Sequence, residues 1–385
     1  MCSRSGRPGA GPPCPSRPPA PSRWCPPRSC RSRRAPAMRA WVIRGTGGLD
    51  QLEIADVPDP AGPLEARQVR IALRAAALNH LDLFVVQGLP LEYSYPHILG
   101  ADGAGVVDAV GAQVRSVRPG DRVMINPGIP DYSCEYCRAG EHSLCVSYGI
   151  LGEHRPGTLA QYIVVPEQNT AIIPTLPTPL TWAEAAAFSL VTLTAWRMVV
   201  TRAQVRPGET VLVWGIGGGV SLAALHVAKL KGARVIVTSS SDAKLHEARK
   251  LGADVTLNHK TQKISQEVRA LTNKRGADVV IDHVGEATWD ESLRSLGRGG
   301  RLVTCGGTSG PTVGLDVRRL FWYQWSILGS TMGNDAEYRE VVRVLGAGEL
   351  RPIVDRVLPF TEARAAFERL ERGEQLGKIA IEINP

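Results

Sequence analysis

Two stretches of this sequence bring together residue types that can do chemistry. In the first, Gly215, Gly217, Gly218 and Gly219 crowd a short turn that continues into Val220 and Ser221. Glycines let a backbone come close to a ligand, and a helix N-terminus offers free N–H groups and partial positive charge. Strand, glycine turn and helix in succession therefore make a cradle for a pyrophosphate. Residues 211–214 read as the strand, 222–231 as the helix, and 234–238 as the next strand of a βαβ unit. Ser221 stands where the third fingerprint glycine is expected and is small enough to let helix and strand approach. In the second stretch Cys134, Cys137 and Cys145 fall in a loop rich in turn formers. Three thiolates at this spacing suit a tetrahedral structural zinc. Asp131, three residues before Cys134, and His142 are the local candidates for a fourth ligand.

The elements that must position these residues follow from periodicity. From residue 211 onward strands fall near 211–214, 234–237, 279–282, 301–304 and 326–329, with helical segments between them. Strict alternation means a parallel, doubly wound sheet covered on both faces, the Rossmann arrangement of an α/β protein. Ligands of such sheets bind beyond the carboxyl ends of the strands. Segments 215–220, 239–241, 283–285 and 305–308 should therefore line one crevice, which brings Ser239, Ser240 and Val284 towards the cofactor. Residues 38–110 read as short strands broken by Gly, Pro and Asp, with a helix only at 78–87. Thr181 and Glu184 form a capping pattern that opens a helical region running to residue 200. Segment 377–383 reads as a strand that rejoins the first domain. Segment 320–328, rich in aromatics, reads as an edge strand able to pair across a dimer.

The net charge of +8 misleads. Residues 1–37 hold eight Arg, ten Pro, four Cys and no acid, and the remainder balances 37 basic against 37 acidic residues. A neutral body gives no reason to expect nucleic acid as a partner. The Pro/Arg tail cannot bury enough apolar surface to fold. A transit peptide, a nucleic-acid arm or a misplaced start codon upstream of Met38 are the readings it allows. No run approaches the ~18 apolar residues of a membrane span. The cysteines do not form a framework spread through the body, so a reducing cytoplasm is expected.

The body from Met38 to Pro385 resembles the medium-chain dehydrogenase/reductase superfamily. The resemblance rests on Gly100-Ala-Asp-Gly-Ala-Gly-Val-Val, the Asn126-Pro-Gly lobe, Gly299-Gly-Arg-Leu-Val-Thr and Gly377-Lys378. It implies a β-rich GroES-like catalytic domain at 38–190 with a cysteine lobe at 126–150. A Rossmann dinucleotide-binding domain at 191–330 and a return to the catalytic domain at 331–385 complete it. Alcohol dehydrogenases of this superfamily hold a catalytic zinc. Their ligand positions fall here on Asn79, Ala101-Asp102 and Leu190, which cannot make the open three-ligand site that Lewis-acid catalysis needs. The family's first lobe cysteine falls on Asp131.

The resemblance therefore points to zinc-independent quinone and enone reductases, with a structural zinc held by Asp131, Cys134, Cys137 and Cys145. It makes Asn79 a candidate donor to the acceptor oxygen. His80 becomes a cofactor contact or proton relay, Asp82 the residue that orders their loop, and Thr194 and Lys378 cofactor contacts. Ser239 occupies the position at which an acid would select NAD. Hydroxyls there, with Lys244, favour NADPH over NADH. Phe84, Tyr93, Tyr95, Tyr148 and Trp322 are candidate walls for an apolar substrate, and a homodimer or homotetramer is expected. The rival readings are a zinc-dependent alcohol or aldehyde dehydrogenase that recruits metal through Asp102 and a histidine, and an NADPH-binding structural or regulatory protein.

Overall fold

The computed structural model describes residues 37–384, so the tail expected over 1–37 lies, apart from its last residue, outside the described residues. Six parallel strands form the nucleotide-binding half. They lie in the order Val255–Asn258, Arg234–Ser239, Thr210–Val213, Ala277–Asp282, Leu296–Thr304 and Ser326–Gly329. Val211, Leu212, Val213, Val279, Val280 and Ile281 are all fully buried, as strands covered on both faces require. The order reverses between the strands Thr210–Val213 and Ala277–Asp282. The crevice beyond their carboxyl ends is where such sheets bind ligands.

The other half is β-rich. Its larger sheet runs Thr170–Ile172, Arg122–Ile125, Asp102–Val110, Gln68–Ala77, Lys378–Glu382 and Val354–Pro359, with Tyr162–Pro166 also paired to Gln68–Ala77. The C-terminal strand pairs antiparallel with Gln68–Ala77, Ala380 facing Ala77. That pairing carries Lys378, distant in sequence, to the side of Asn79. Val69, Ile71, Leu73, Ile125 and Ile381 fill the core of this half.

Helix Ser189–Trp196 joins the halves, its residues all buried, and packs on helix Gly219–Leu230. It runs straight through the boundary expected at 190–191. Thr181 caps the preceding helix, Trp182–Ala186: its hydroxyl accepts the Glu184 N–H at 3.2 Å and the Glu184 carboxylate accepts the Thr181 N–H at 2.9 Å. The 320–328 segment departs from the strand expected there. Its first half is the helix Val317–Tyr323, with Asp316 accepting from the Arg318 N–H at 3.0 Å and Gln324 ending it in a left-handed conformation. Only Ser326–Gly329 is strand, and it forms the sheet edge.

Candidate active site

The glycine turn is shaped for a ligand. Gly215 and Gly217 have φ of 62° and 135°, values that penalise a side chain. Gly218 precedes helix Gly219–Leu230, and no side chain caps the helix N-terminus. A Cβ on Gly219 would meet Val191 at 2.7 Å and Lys378 at 2.9 Å. The first N–H groups of this helix are left free for an anion. Ser221 does more than spare space. Fully buried, its hydroxyl lies 3.0 Å from the Gly215 carbonyl and 2.9 Å from the Gly218 carbonyl, bracing the turn from behind. The C-terminal segment closes the other side, the Gly377 N–H donating to the Gly217 carbonyl at 2.9 Å.

Beside this cradle lies a closed polar cluster. Asp102 is fully buried, and Lys378 is 4% exposed. The Lys378 ammonium donates to Asp102 Oδ2 at 2.8 Å and to Asn79 Oδ1. Asn79 Nδ2 donates to Asp102 Oδ2 at 3.1 Å, and the Leu190 N–H donates to Asp102 Oδ1 at 2.9 Å. Asn79, Asp102 and Leu190, the three positions singled out in sequence, thus meet around an ammonium group. Both ends of the Asn79 amide are engaged there, and Asn79 also lines the neighbouring cleft. Lys378 shares its charge between Asp102 and Asn79, and its stem flanks Gly219. Asp82, also buried, accepts the Asn79 N–H at 2.7 Å and the Gly100 N–H at 3.0 Å, fixing the start of helix His80–Gln87.

Between cradle and cluster opens a cleft of about 330 Å³. Leu81, Phe84, Leu89, Ile150 and Met332 give it apolar walls, and His80, Thr194 and Val220 border it. Burial, then the charges of His283, Lys378 and Lys244, lower the His80 pKa to about 4, so its ring is neutral at neutral pH. Burial raises the Asp82 pKa to about 6 against the pull of its two backbone donors. The Thr194 hydroxyl donates to the Leu190 carbonyl at 2.7 Å. Of the aromatic walls expected, only Phe84 lines this cleft. Tyr93 and Tyr95 pack on each other, Tyr148 packs against the core, and Trp322 is 65% exposed on a surface helix.

A second opening of about 420 Å³ continues along the sheet past Trp214, Gly215, His259, Val284 and Glu291. Val284 sits on a loop held by Asp282, a fully buried carboxylate. Asp282 accepts the Val284 N–H at 2.9 Å and hydroxyls of Thr288 and Ser292 at 2.8 and 2.6 Å. Ser239 is buried, its hydroxyl accepting the Ser241 N–H at 3.2 Å, while Ser240 is exposed. Asp242 is turned to Asn258, whose amide donates to it at 2.7 Å. Lys244 reaches the glycine turn but donates to the Gly373 carbonyl at 2.6 Å. His259, overlooked in the sequence, stacks loosely on Trp214 with ring centroids 6.0 Å apart. Its only sequence signal is a position just past the third strand.

In the cysteine lobe the ligand atoms of Asp131, Cys134, Cys137 and Cys145 all lie within 4.8 Å of one another. Three sulfurs and one oxygen at that separation fit a tetrahedral cation. The Ser133 and Cys134 N–H groups donate to Asp131 Oδ1 at 2.7 and 2.9 Å and hold its carboxyl well below the usual range. The Cys137 thiol is pushed up to about 12 by burial, the cost of a thiolate with no cation beside it. His142 stands apart: its Nδ1 accepts the Asp335 N–H at 3.3 Å and its ring packs on Tyr132.

Known proteins share this fold. Residues 65–175 match the family model of the alcohol dehydrogenase GroES-like domain, and residues 219–347 that of the zinc-binding dehydrogenase. The crystal structure of an NAD-dependent alcohol dehydrogenase superposes with a TM-score of 0.86 at 46% identity, covering 90% of this chain and 100% of that one. A zinc-type alcohol dehydrogenase-like protein, C1773.06c of Schizosaccharomyces pombe, is 34% identical over 90% of this chain and 100% of its own. Acryloyl-coenzyme A reductase of Metallosphaera sedula is 33% identical over 89% of this chain and 99% of its own. The chain belongs to the medium-chain dehydrogenase/reductase superfamily. Its members are NAD(P)-binding oxidoreductases.

Proposed function

We propose that this chain transfers hydride from NADPH to an activated alkene, or to a quinone, without a catalytic metal. One observation carries the reading: Lys378 fills the space between Asn79 and Asp102 and uses the oxygens that a catalytic cation would need. A buried ion pair bonded on every side is not an open coordination site. The bound nicotinamide supplies the hydride. The free N–H groups at the start of helix Gly219–Leu230 hold the pyrophosphate, and Val191, Thr194 and Val220 border the nicotinamide end. Leu81, Phe84, Ile150 and Met332 keep water from the acceptor, which suits reduction of an apolar conjugated system. The likeness to acryloyl-coenzyme A reductase supports an alkene conjugated to a carbonyl. NADPH is favoured because Ser239 and Ser240 follow the second strand where an acid would repel a 2′-phosphate, and because Asp242 is held by Asn258. The Asp131–Cys134–Cys137–Cys145 lobe is proposed to hold a structural zinc. The free edge Ser326–Gly329, next to exposed Val317, Phe321 and Trp322, is proposed to pair two chains.

The rival, an alcohol dehydrogenase that recruits zinc through Asp102, has the family names in its favour but would have to displace the Lys378 ammonium from Asp102. The test is cofactor oxidation, followed by near-ultraviolet absorbance, with enones, enoyl thioesters, quinones and aldehydes, before and after chelation. NADPH-driven alkene reduction that survives chelation is expected. Aldehyde turnover abolished by chelator and restored by zinc would overturn the proposal.

A further inference from the structure

Reduction of an alkene needs a proton as well as a hydride, and the cleft offers few groups that can give one. His80 is held neutral, with a pKa near 4, and burial also lowers the pKa of His283, whose Nε2 lies 3.1 Å from the Trp214 carbonyl. Asp82 and Asp102 have both oxygens engaged inside the protein. The Lys378 ammonium is bound by two oxygens, and the Cys305 thiol is pushed up to about 12 by burial. The one carboxylic side chain on the cleft wall, among the described residues, is Glu153.

Glu153 lies on the loop after the short strand Gly149–Ile150 and lines the cleft together with His80 and Phe84. Its side chain is 13% exposed. The nearest titratable neighbour, His154, has its Nδ1 3.5 Å from the Glu153 carboxyl, and that nitrogen accepts the Ile150 N–H at 3.3 Å. Tyr93 faces the same group. Its hydroxyl is buried with no partner among the described residues, and burial and the neighbouring carboxyl raise its pKa. Tyr148 lies within the field of Glu153 too, and burial, ahead of every charge, raises its pKa. Among the described residues no lysine or arginine acts on the carboxyl. Burial raises the Glu153 pKa, with only His154 opposing.

We propose that Glu153 is the acid that delivers the proton when the alkene is reduced. The inference rests on the reaction proposed above. Hydride from the dihydronicotinamide forms a C–H bond at the β-carbon, and the alkene π pair moves to give an enolate. The Glu153 O–H bond then breaks, its proton forms the C–H bond at the α-carbon, and a carboxylate remains. NADP⁺ and the saturated carbonyl leave, and solvent reprotonates Glu153 past the exposed His154 imidazole. One NADPH and one proton are consumed per alkene.

The test compares the wild-type chain with E153Q and E153D. E153Q should lower kcat on an enone by about 10²–10³-fold with unchanged NADPH affinity. In D₂O the wild type should place deuterium at the α-carbon on one face, and the residual product of E153Q on both. The wild-type rate should fall as pH rises through the Glu153 pKa, a limb that E153Q lacks and E153D keeps. In the cofactor-free protein, the infrared carbonyl band of carboxylic acids should lose the Glu153 component in E153Q, leaving that of Asp82. An E153Q kcat within about threefold of wild type, with single-face deuteration, would overturn the assignment. So would E153D behaving no better than E153Q, which marks a structural role. A wild type that reduces no alkene overturns the reaction and the donor together. An active wild type matched by E153Q overturns the donor alone.

Discussion

The molecule has two places where this superfamily puts a metal, and they have diverged in opposite directions. The lobe brings four donor side chains, Asp131, Cys134, Cys137 and Cys145, within 4.8 Å of one another. At the reaction centre Asn79, Asp102 and Leu190 are joined instead by a cation of the chain's own, the Lys378 ammonium. The difference is one of closure. Three sulfurs and a carboxylate make a donor set suited to a soft cation. At Asp102 both oxygens already accept hydrogen bonds, one of them from an ammonium.

The largest effect expected on breaking this contrast is at the closed site. K378M leaves Asp102 buried without its cation and should cost about 3–5 kcal/mol of stability. Adding D102N should recover much of it, because the uncompensated charge is then gone. Chemical denaturation of the three variants measures this. At the lobe, C137S should release the zinc. At free zinc a hundredfold above Kd the loss is about 3 kcal/mol, read by metal analysis and melting temperature.

His80 borders the closed cluster and gives a smaller, pH-dependent signal. Its folded pKa, about 4, lies below the ordinary value of 6.5, so only the unfolded chain takes up a proton between those values. Stability from this group is present above 6.5 and lost as pH falls towards 4. Between pH 7 and pH 5 the wild type should lose about 2 kcal/mol relative to H80Q. Asp82 acts in the opposite sense: its folded pKa is raised to about 6, so its contribution is lost as pH rises through that value. The comparison with H80Q is needed because the two partly cancel in the wild type. The smallest effect is at Ser221. S221A removes the hydroxyl that braces Gly215 and Gly218 and should cost about 1 kcal/mol, with weaker NADPH binding seen by fluorescence titration.

What was legible in the sequence was what local rules encode. The βαβ alternation and the glycine turn are carried by neighbouring residues, and so is the cysteine spacing. The Lys378–Asp102 pair spans 276 positions, and no local pattern joins them. The contact of Lys244 with the Gly373 carbonyl is likewise distant in sequence, since Gly373 belongs to the C-terminal return. The 320–328 stretch misled through composition: its aromatics favour a strand, but the Asp316 cap and the left-handed Gln324 fix a helix first. Glu153 gave no signal, being one acid in an irregular loop whose importance comes from what it faces.

The central claim is that an internal ammonium has taken the place of a metal at the reaction centre. The most direct test is the NADPH-dependent alkene reduction rate of the full chain as a function of zinc bound. The account predicts at most one zinc per chain, lost in C137S, and a rate that does not rise with added zinc. A second zinc per chain, absent in D102N and required for turnover, would contradict it.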